Sequence, residues 1–146
     1  MLENLLAVLG LSMALLVVVQ VFCRYILNSS LFWSEELARY MLVWLSFIGA
    51  TVAYYHHLHP GVDIITSRLS PAGQRLAFRV AHLVAMALAL VMIVSGSRFA
   101  WFIRMQISPA LAIPKWIILA IIPASGIVLF AFALTFFLFP EQQEQP

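Results

Sequence analysis

Charge is what this sequence has least of. Of its 146 residues only 10% are charged, while 64% are hydrophobic. An ordinary soluble domain carries roughly 25% charged residues. A chain this short has too little interior to hide so much apolar surface from water. A water-soluble enzyme, a nucleic-acid-binding domain and a disordered tail are all disfavoured on these grounds. Cysteine is nearly as scarce: Cys23 stands alone, so no internal disulfide can form and the redox compartment cannot be read from it. There is no Gly-rich phosphate loop and no serine or cysteine nucleophile with a partner base. The basic residues are scattered and form no nucleic-acid-binding patch, so no nucleic acid is expected as a partner. The net charge of +2 rests on too few charges to indicate one either.

What the sequence does hold is four apolar runs and a mean hydropathy of +1.01. A helix crossing roughly 30 Å of hydrocarbon needs about 20 apolar residues. Residues 5–23, 40–55, 80–97 and 116–139 supply such runs. The expected fold is an all-α integral membrane protein with four transmembrane helices and short amphipathic or interfacial linkers. The helices are expected at about 5–27, 35–56, 76–98 and 115–139, within a single membrane domain over 1–146. The polar linkers around 28–36, 56–79 and 98–115 are too short for a soluble domain, and there is no internal repeat. The first run lacks a basic start and ends in Cys23-Arg24-Tyr25 in place of a small-residue cleavage site, so it reads as a retained helix.

Several residues mark helix ends. Ser34 is a candidate cap for the second helix, with Glu35 and Glu36 in a first turn whose dipole favours negative charge. Trp33, Tyr40 and Trp116 sit where interfacial aromatics are expected. Pro114 precedes the fourth helix, and Pro123 inside it should free a carbonyl one turn back and bend it. Ala81, Ala85 and Ala89 form a small-residue stripe on the third helix. Ser46, Gly49, Ala50 and Ala53 form one on the second, and Ala120 and Ala124 on the fourth. Such stripes let helix backbones approach closely, although alanine is common in any membrane helix. Orientation is ambiguous from charge. The first and third loops hold five basic residues (Arg24, Arg39, Arg98, Arg104 and Lys115) against three in the second, Arg68, Arg75 and Arg79. Taken alone, that count leans towards tails outside.

The densest polar group is Arg24-Tyr25 followed by Trp33-Ser34-Glu35-Glu36 and Arg39. Glu35 and Arg39 are spaced to pair on one helix face, and the intervening turn can bring Arg24 towards Glu36. This is either a charge clasp locking two helices or a proton or ion relay. The clasp is favoured because no acid lies inside any apolar run. His56, His57 and His59 with Asp63 resemble a metal site superficially. Neighbouring histidines point in different directions, however, and no second ligand cluster completes the set, so no metal is expected. His82 lies inside the third run. It could hold a haem with His56 or His57, or make a helix-to-helix hydrogen bond, which is the plainer reading.

The run from Phe32 through Trp33-Ser34-Glu35-Glu36, Arg39 and Trp44 to Phe47-Ile48-Gly49-Ala50 resembles the small membrane subunit (Q-type) of tripartite ATP-independent periplasmic (TRAP) transporters. His59 with Val62-Asp63, the stretch from Ser108 to Pro114, and Ile122-Pro123 follow in the family's order. Arg24-Tyr25 closes the first span as the family does. Tyr54-Tyr55-His56-His57 stands where the family often has arginines, and Lys115 where it more often has a small or apolar residue.

The resemblance implies a subunit that has no enzymatic activity and needs no cofactor. It would scaffold a large multispanning membrane subunit and help form the docking surface for a periplasmic substrate-binding protein, in sodium-driven uptake of an organic acid. It would lie in the bacterial inner membrane among lipids, with both termini cytoplasmic, against the charge count. Arg98, Arg104 and Lys115 would then mark a periplasmic docking face. Two other classes stay open: the membrane anchor of a respiratory or haem- or quinone-linked enzyme, resting on His82 and the His56/His57 pair, and a self-sufficient small exporter working as an oligomer, which would need a membrane-buried acid that is missing.

Overall fold

The computed structural model describes residues 2–56 and 70–139. Helix α1 covers Leu2–Tyr25 and α2 covers Phe32–Tyr55. Helix α3 covers Pro71–Phe102, α4 is the short Lys115–Leu119, and α5 is Ile121–Leu138. Among the described residues there is no strand beyond one isolated bridge between Ile107 and Pro114. Four segments are long and apolar enough to cross a membrane: Leu2–Tyr25, Phe32–Tyr55, Gly73–Phe102 and Lys115–Leu138.

The boundaries have local causes. Ser70 caps α3 by accepting from Gly73 N at 3.4 Å, and Pro71 occupies the first turn, where its missing N–H costs nothing. At 32 residues α3 is about 48 Å long, well beyond the hydrocarbon thickness. It runs past Arg98, which therefore lies in its last turns and not in the loop. The α1–α2 turn places Asn28 in the left-handed region (φ 49°), and Ser29 N donates back to the Cys23 carbonyl at 3.0 Å. Asn tolerates that conformation better than most residues.

Ser34 is not the cap of α2. The helix starts three residues earlier, at Phe32 after Leu31, and the buried Ser34 hydroxyl donates to the Leu31 carbonyl at 2.7 Å. The fourth span is interrupted three residues before Pro123. A single turn residue, Ala120, separates α4 from α5 while keeping helical angles (φ −60°, ψ −17°) and bonds to Trp116 and Ala124, and Pro123 falls in the first turn of α5, where a missing donor is tolerated.

The helices pack in a row. Helix α3 lies along α5, α5 against α2, and α2 against α1, with α4 touching α3 and α5. The tightest seam is α3–α5. A Cβ on Gly126 would come within 3.0 Å of Met92 Cβ and 3.1 Å of the Ala89 carbonyl oxygen. A Cβ on Gly96 would come within 3.0 Å of Ile122 and of the Pro123 ring. Ala89 and Ala133 are fully buried in the packed interior. The alanine stripe of the third helix thus does meet a neighbour at Ala89, but the two glycines make the closest approach. On α2 the small-residue stripe is used only in part: Gly49 and Ala53 are half-buried, Gly49 facing Leu6 of α1, while Ser46 and Ala50 are exposed. Ala124 on α5 is exposed as well.

Candidate functional site: the polar ends of the spans

The antiparallel row gathers polar residues at two ends. One end holds the α1–α2 turn and loop 103–114, and is called here the loop end. The other holds the start of α1, the end of α2, the start of α3 and the end of α5.

At the loop end the two adjacent acids of α2 part company. Glu35 pairs with Arg24 at 3.4 Å, both side chains being about half exposed, and so ties α1 to α2. Glu36 turns the other way. Its Oε2 accepts from Ala110 N at 2.9 Å, and its Oε1 accepts from the Tyr40 hydroxyl one helical turn on. The expected pairs are therefore exchanged. Arg39 does not meet Glu35, and Arg24 does not meet Glu36. Four residues along α2 brings Glu36 to Tyr40, while the α1 C-terminus lies on the side of Glu35. Arg39 is exposed and makes no ion pair among the described residues.

Loop 103–114 is closed on itself. Ser108 N donates to the Ile113 carbonyl at 2.9 Å, Ala112 N to the Ser108 carbonyl at 3.0 Å, and Lys115 N to the Gln106 carbonyl at 3.0 Å. The buried Ser108 hydroxyl accepts from Leu111 N at 3.2 Å. Ala112 adopts φ 54°, a left-handed conformation that a residue with a Cβ disfavours and that this bonding holds in place. Arg104 stacks over the Trp101 ring, 4.2 Å from its centre, and donates to the Trp101 carbonyl at 3.1 Å. Lys115 Nζ reaches Gln106 Oε1 at 3.4 Å. Arg98, Arg104, Met105 and Ile107 are exposed. Trp33 and Trp116 are exposed at this end too, as expected of interfacial aromatics.

In the middle of the row, Trp44 Nε1 donates to the Ile118 carbonyl at 3.0 Å. The last carbonyls of a helix lack intrahelical partners, and here α2 supplies a donor at the end of α4. Gly49 faces Leu6 of α1 at an ordinary distance, so it does not force the α1–α2 approach. Lower down, the Tyr54 hydroxyl and His82 Nδ1 lie 2.6 Å apart, beside the Phe136 ring. His82 is buried. The helix-to-helix hydrogen bond is the role this geometry gives it. At the other end His56 bonds Glu3, tying α1 to α2 a second time. His57, His59 and Asp63 lie outside the described residues.

Tyr40, Ser108, Ala110 and Tyr54 were not singled out as site residues from sequence. Tyr40 had a signal, since it stands four residues after Glu36. Ala110 had none, because it contributes only a backbone N–H from 74 positions away.

The fold therefore defines a four-span helical membrane protein, with Asp, Glu, Lys and Arg kept to the span ends among the described residues. Residues 13–139 match the family described as tripartite ATP-independent periplasmic transporters, DctQ component, and the chain belongs to that family. It is accordingly a small TRAP permease subunit, a multi-pass inner-membrane protein and not an enzyme. It is 28% identical over 124 residues to a protein of Haemophilus influenzae named as a TRAP transporter small permease protein, covering 84% of this chain and 76% of that one. It is 31% identical over 121 residues to the C4-dicarboxylate TRAP transporter small permease protein DctQ of Rhodobacter capsulatus, covering 80% of this chain and 53% of that one. A third relative is the isethionate TRAP transporter permease protein DctMQ of Oleidesulfovibrio alaskensis. It is 30% identical over 98 residues, which is 64% of this chain but 15% of that protein.

Proposed function

We propose that this chain scaffolds a large multispanning permease and helps form the surface on which a periplasmic substrate-binding protein docks, in sodium-driven uptake of an organic acid. The observation that carries this reading is the placement of charge. Transporters bind coupling ions and anionic substrates at mid-membrane, on acids or broken-helix termini. Here the charged groups of the described spans stand at their ends, and the Ile118 carbonyl, near the turn at Ala120, is taken up by the Trp44 indole. The transport site belongs to a partner.

Two further observations support a large membrane partner. Helix α1 buries none of its residues within the chain. In the DctMQ relative, the matching stretch is a small part of one much longer permease polypeptide. The relatives' names mention C4-dicarboxylate and isethionate, which are organic anions. This is the basis for assigning an organic acid as cargo.

The whole chain forms one membrane domain with both termini in the cytoplasm, so that loop 103–114 faces the periplasm. Arg24, Trp33, Glu35, Glu36, Arg39, Trp44, Gly49, His59, Asp63, Pro114 and Pro123 then serve structure and assembly, and Arg98, Arg104 and Lys115 serve docking.

Uptake by vesicles tests the role. Vesicles holding this chain and its large permease, supplied with binding protein, should accumulate the organic acid under a sodium gradient. Vesicles holding this chain alone should not. Transport by this chain alone would overturn the proposal. Single cysteines test the orientation in a Cys23→Ser background. Met105→Cys is preferable to a cysteine at Ser108, which is buried. A membrane-impermeant thiol reagent on intact cells should label position 105 and spare Ser70→Cys. The reverse pattern would invert the topology.

A further inference from the structure

Glu36 is bound at both oxygens by groups from two different elements. Tyr40, on the same rigid helix, holds Oε1, and this leaves Oε2 aimed at Ala110 N in the loop. Loop 103–114 has its own turn bonds, but those fix only its internal shape. The Glu36 carboxylate fixes where its tip sits relative to α2. The outward side of the same segment carries Arg104, stacked on Trp101, with Met105 and Ile107 beside it, 83% and 64% exposed. A cation with two apolar neighbours suits a partner surface bearing an acid beside an apolar contact.

We infer that Glu36 is a positioning residue of the docking face, setting the loop conformation in which Arg104, Met105 and Ile107 meet the binding protein. The inference rests on the docking role proposed above. A loop already held in its bound geometry loses less conformational freedom on association, and so binds more tightly than a free one. The charge of Glu36 works in the opposite direction, because a carboxylate on this face repels an acidic partner. Positioning and electrostatics therefore predict opposite signs when Glu36 is removed.

The experiment uses the complex of this chain with its large permease in lipid nanodiscs, titrated with the binding protein. Glu36→Ala removes both the anchor and the charge, and affinity should fall about five- to tenfold. Glu36→Gln keeps a carbonyl for Ala110 N while removing the charge, and should bind within about twofold of the parent. Amide hydrogen exchange over 108–112 should quicken in the alanine variant and not in the glutamine one. Should Glu36→Ala fail to assemble, Tyr40→Phe loosens the same carboxylate and should weaken binding by about two- to threefold. Arg104→Glu checks the docking role separately and should weaken binding by tenfold or so. Equal or tighter binding by Glu36→Ala, with Arg104→Glu weakened, overturns the positioning role and leaves docking intact. Unchanged binding by Arg104→Glu overturns docking and the inference with it.

Discussion

Helices α1 and α5 are both long, apolar and uncharged in the middle, yet they are built into the protein in different ways. Helix α5 sits between α2 and α3, and buries Ser125, Gly126, Leu129, Ala133 and Phe136. Its contact with α3 is set by backbone approach at Gly126 and Gly96. Helix α1 lies at the edge of the row, buries nothing, and is tied to α2 near its two ends by Arg24–Glu35 and Glu3–His56. Lipid tails are as apolar as leucine, so hydrophobicity alone cannot hold one membrane helix against another. Close packing does it for α5. Helix α1 has ordinary side-chain contacts, one exposed ion pair and an exposed Glu3–His56 hydrogen bond, which leaves its outer surface for lipid or for another protein.

The contrast makes a ranked set of predictions. The largest effect belongs to the α3–α5 seam. Gly126→Ala places a methyl within contact of the Ala89 carbonyl oxygen and Met92, where the helix backbones must separate. A loss of about 1–3 kcal/mol is expected, read as a lowered melting temperature in detergent. Next is the join between α2 and the interrupted fourth span. Trp44→Phe leaves the Ile118 carbonyl without the indole donor and should cost about 1–2 kcal/mol in the same assay. Tyr54→Phe removes the hydroxyl that meets His82, with an expected loss of about 0.6 kcal/mol and at most about 1.7.

The α1 side should be gentler. Arg24→Ala breaks a half-exposed pair, worth at most about 1 kcal/mol, and this effect should shrink as salt rises. Arg39→Ala should change stability least, within about 0.5 kcal/mol, because it pairs with neither acid. If Arg39→Ala unfolded the protein while Gly126→Ala did not, the contrast between seam and edge would be reversed.

Much of this was legible in the sequence. Four apolar runs gave four spans, since the hydrocarbon thickness dictates helix length whatever the packing. The order of Glu35-Glu36, Trp44, Gly49 and Pro123 pointed to the family. Pro123 pointed to a bend in the fourth span, where the structure has a one-residue interruption at Ala120 that keeps helical angles. The partner of each polar group was harder to read. Spacing of four suggested Glu35–Arg39, but the same rule applies to Glu36 and Tyr40, and sequence does not say which side of α2 faces which neighbour. Ala110 and Ile118 act through backbone groups, which carry no side-chain signature. Of the α2 stripe of Ser46, Gly49, Ala50 and Ala53, Ser46 and Ala50 lie exposed, while the tightest seam formed at Gly96 and Gly126, two glycines on different helices. Only the relative rotation of the packed helices could show that.

The most direct test of the central claim, that this chain is a subunit and not a transporter by itself, is the mass of the assembled particle. Native mass spectrometry of the chain co-expressed with its large TRAP permease should show one copy of each in a stable complex that survives mild detergent. A stable oligomer of this chain alone, with the permease excluded, would contradict the account.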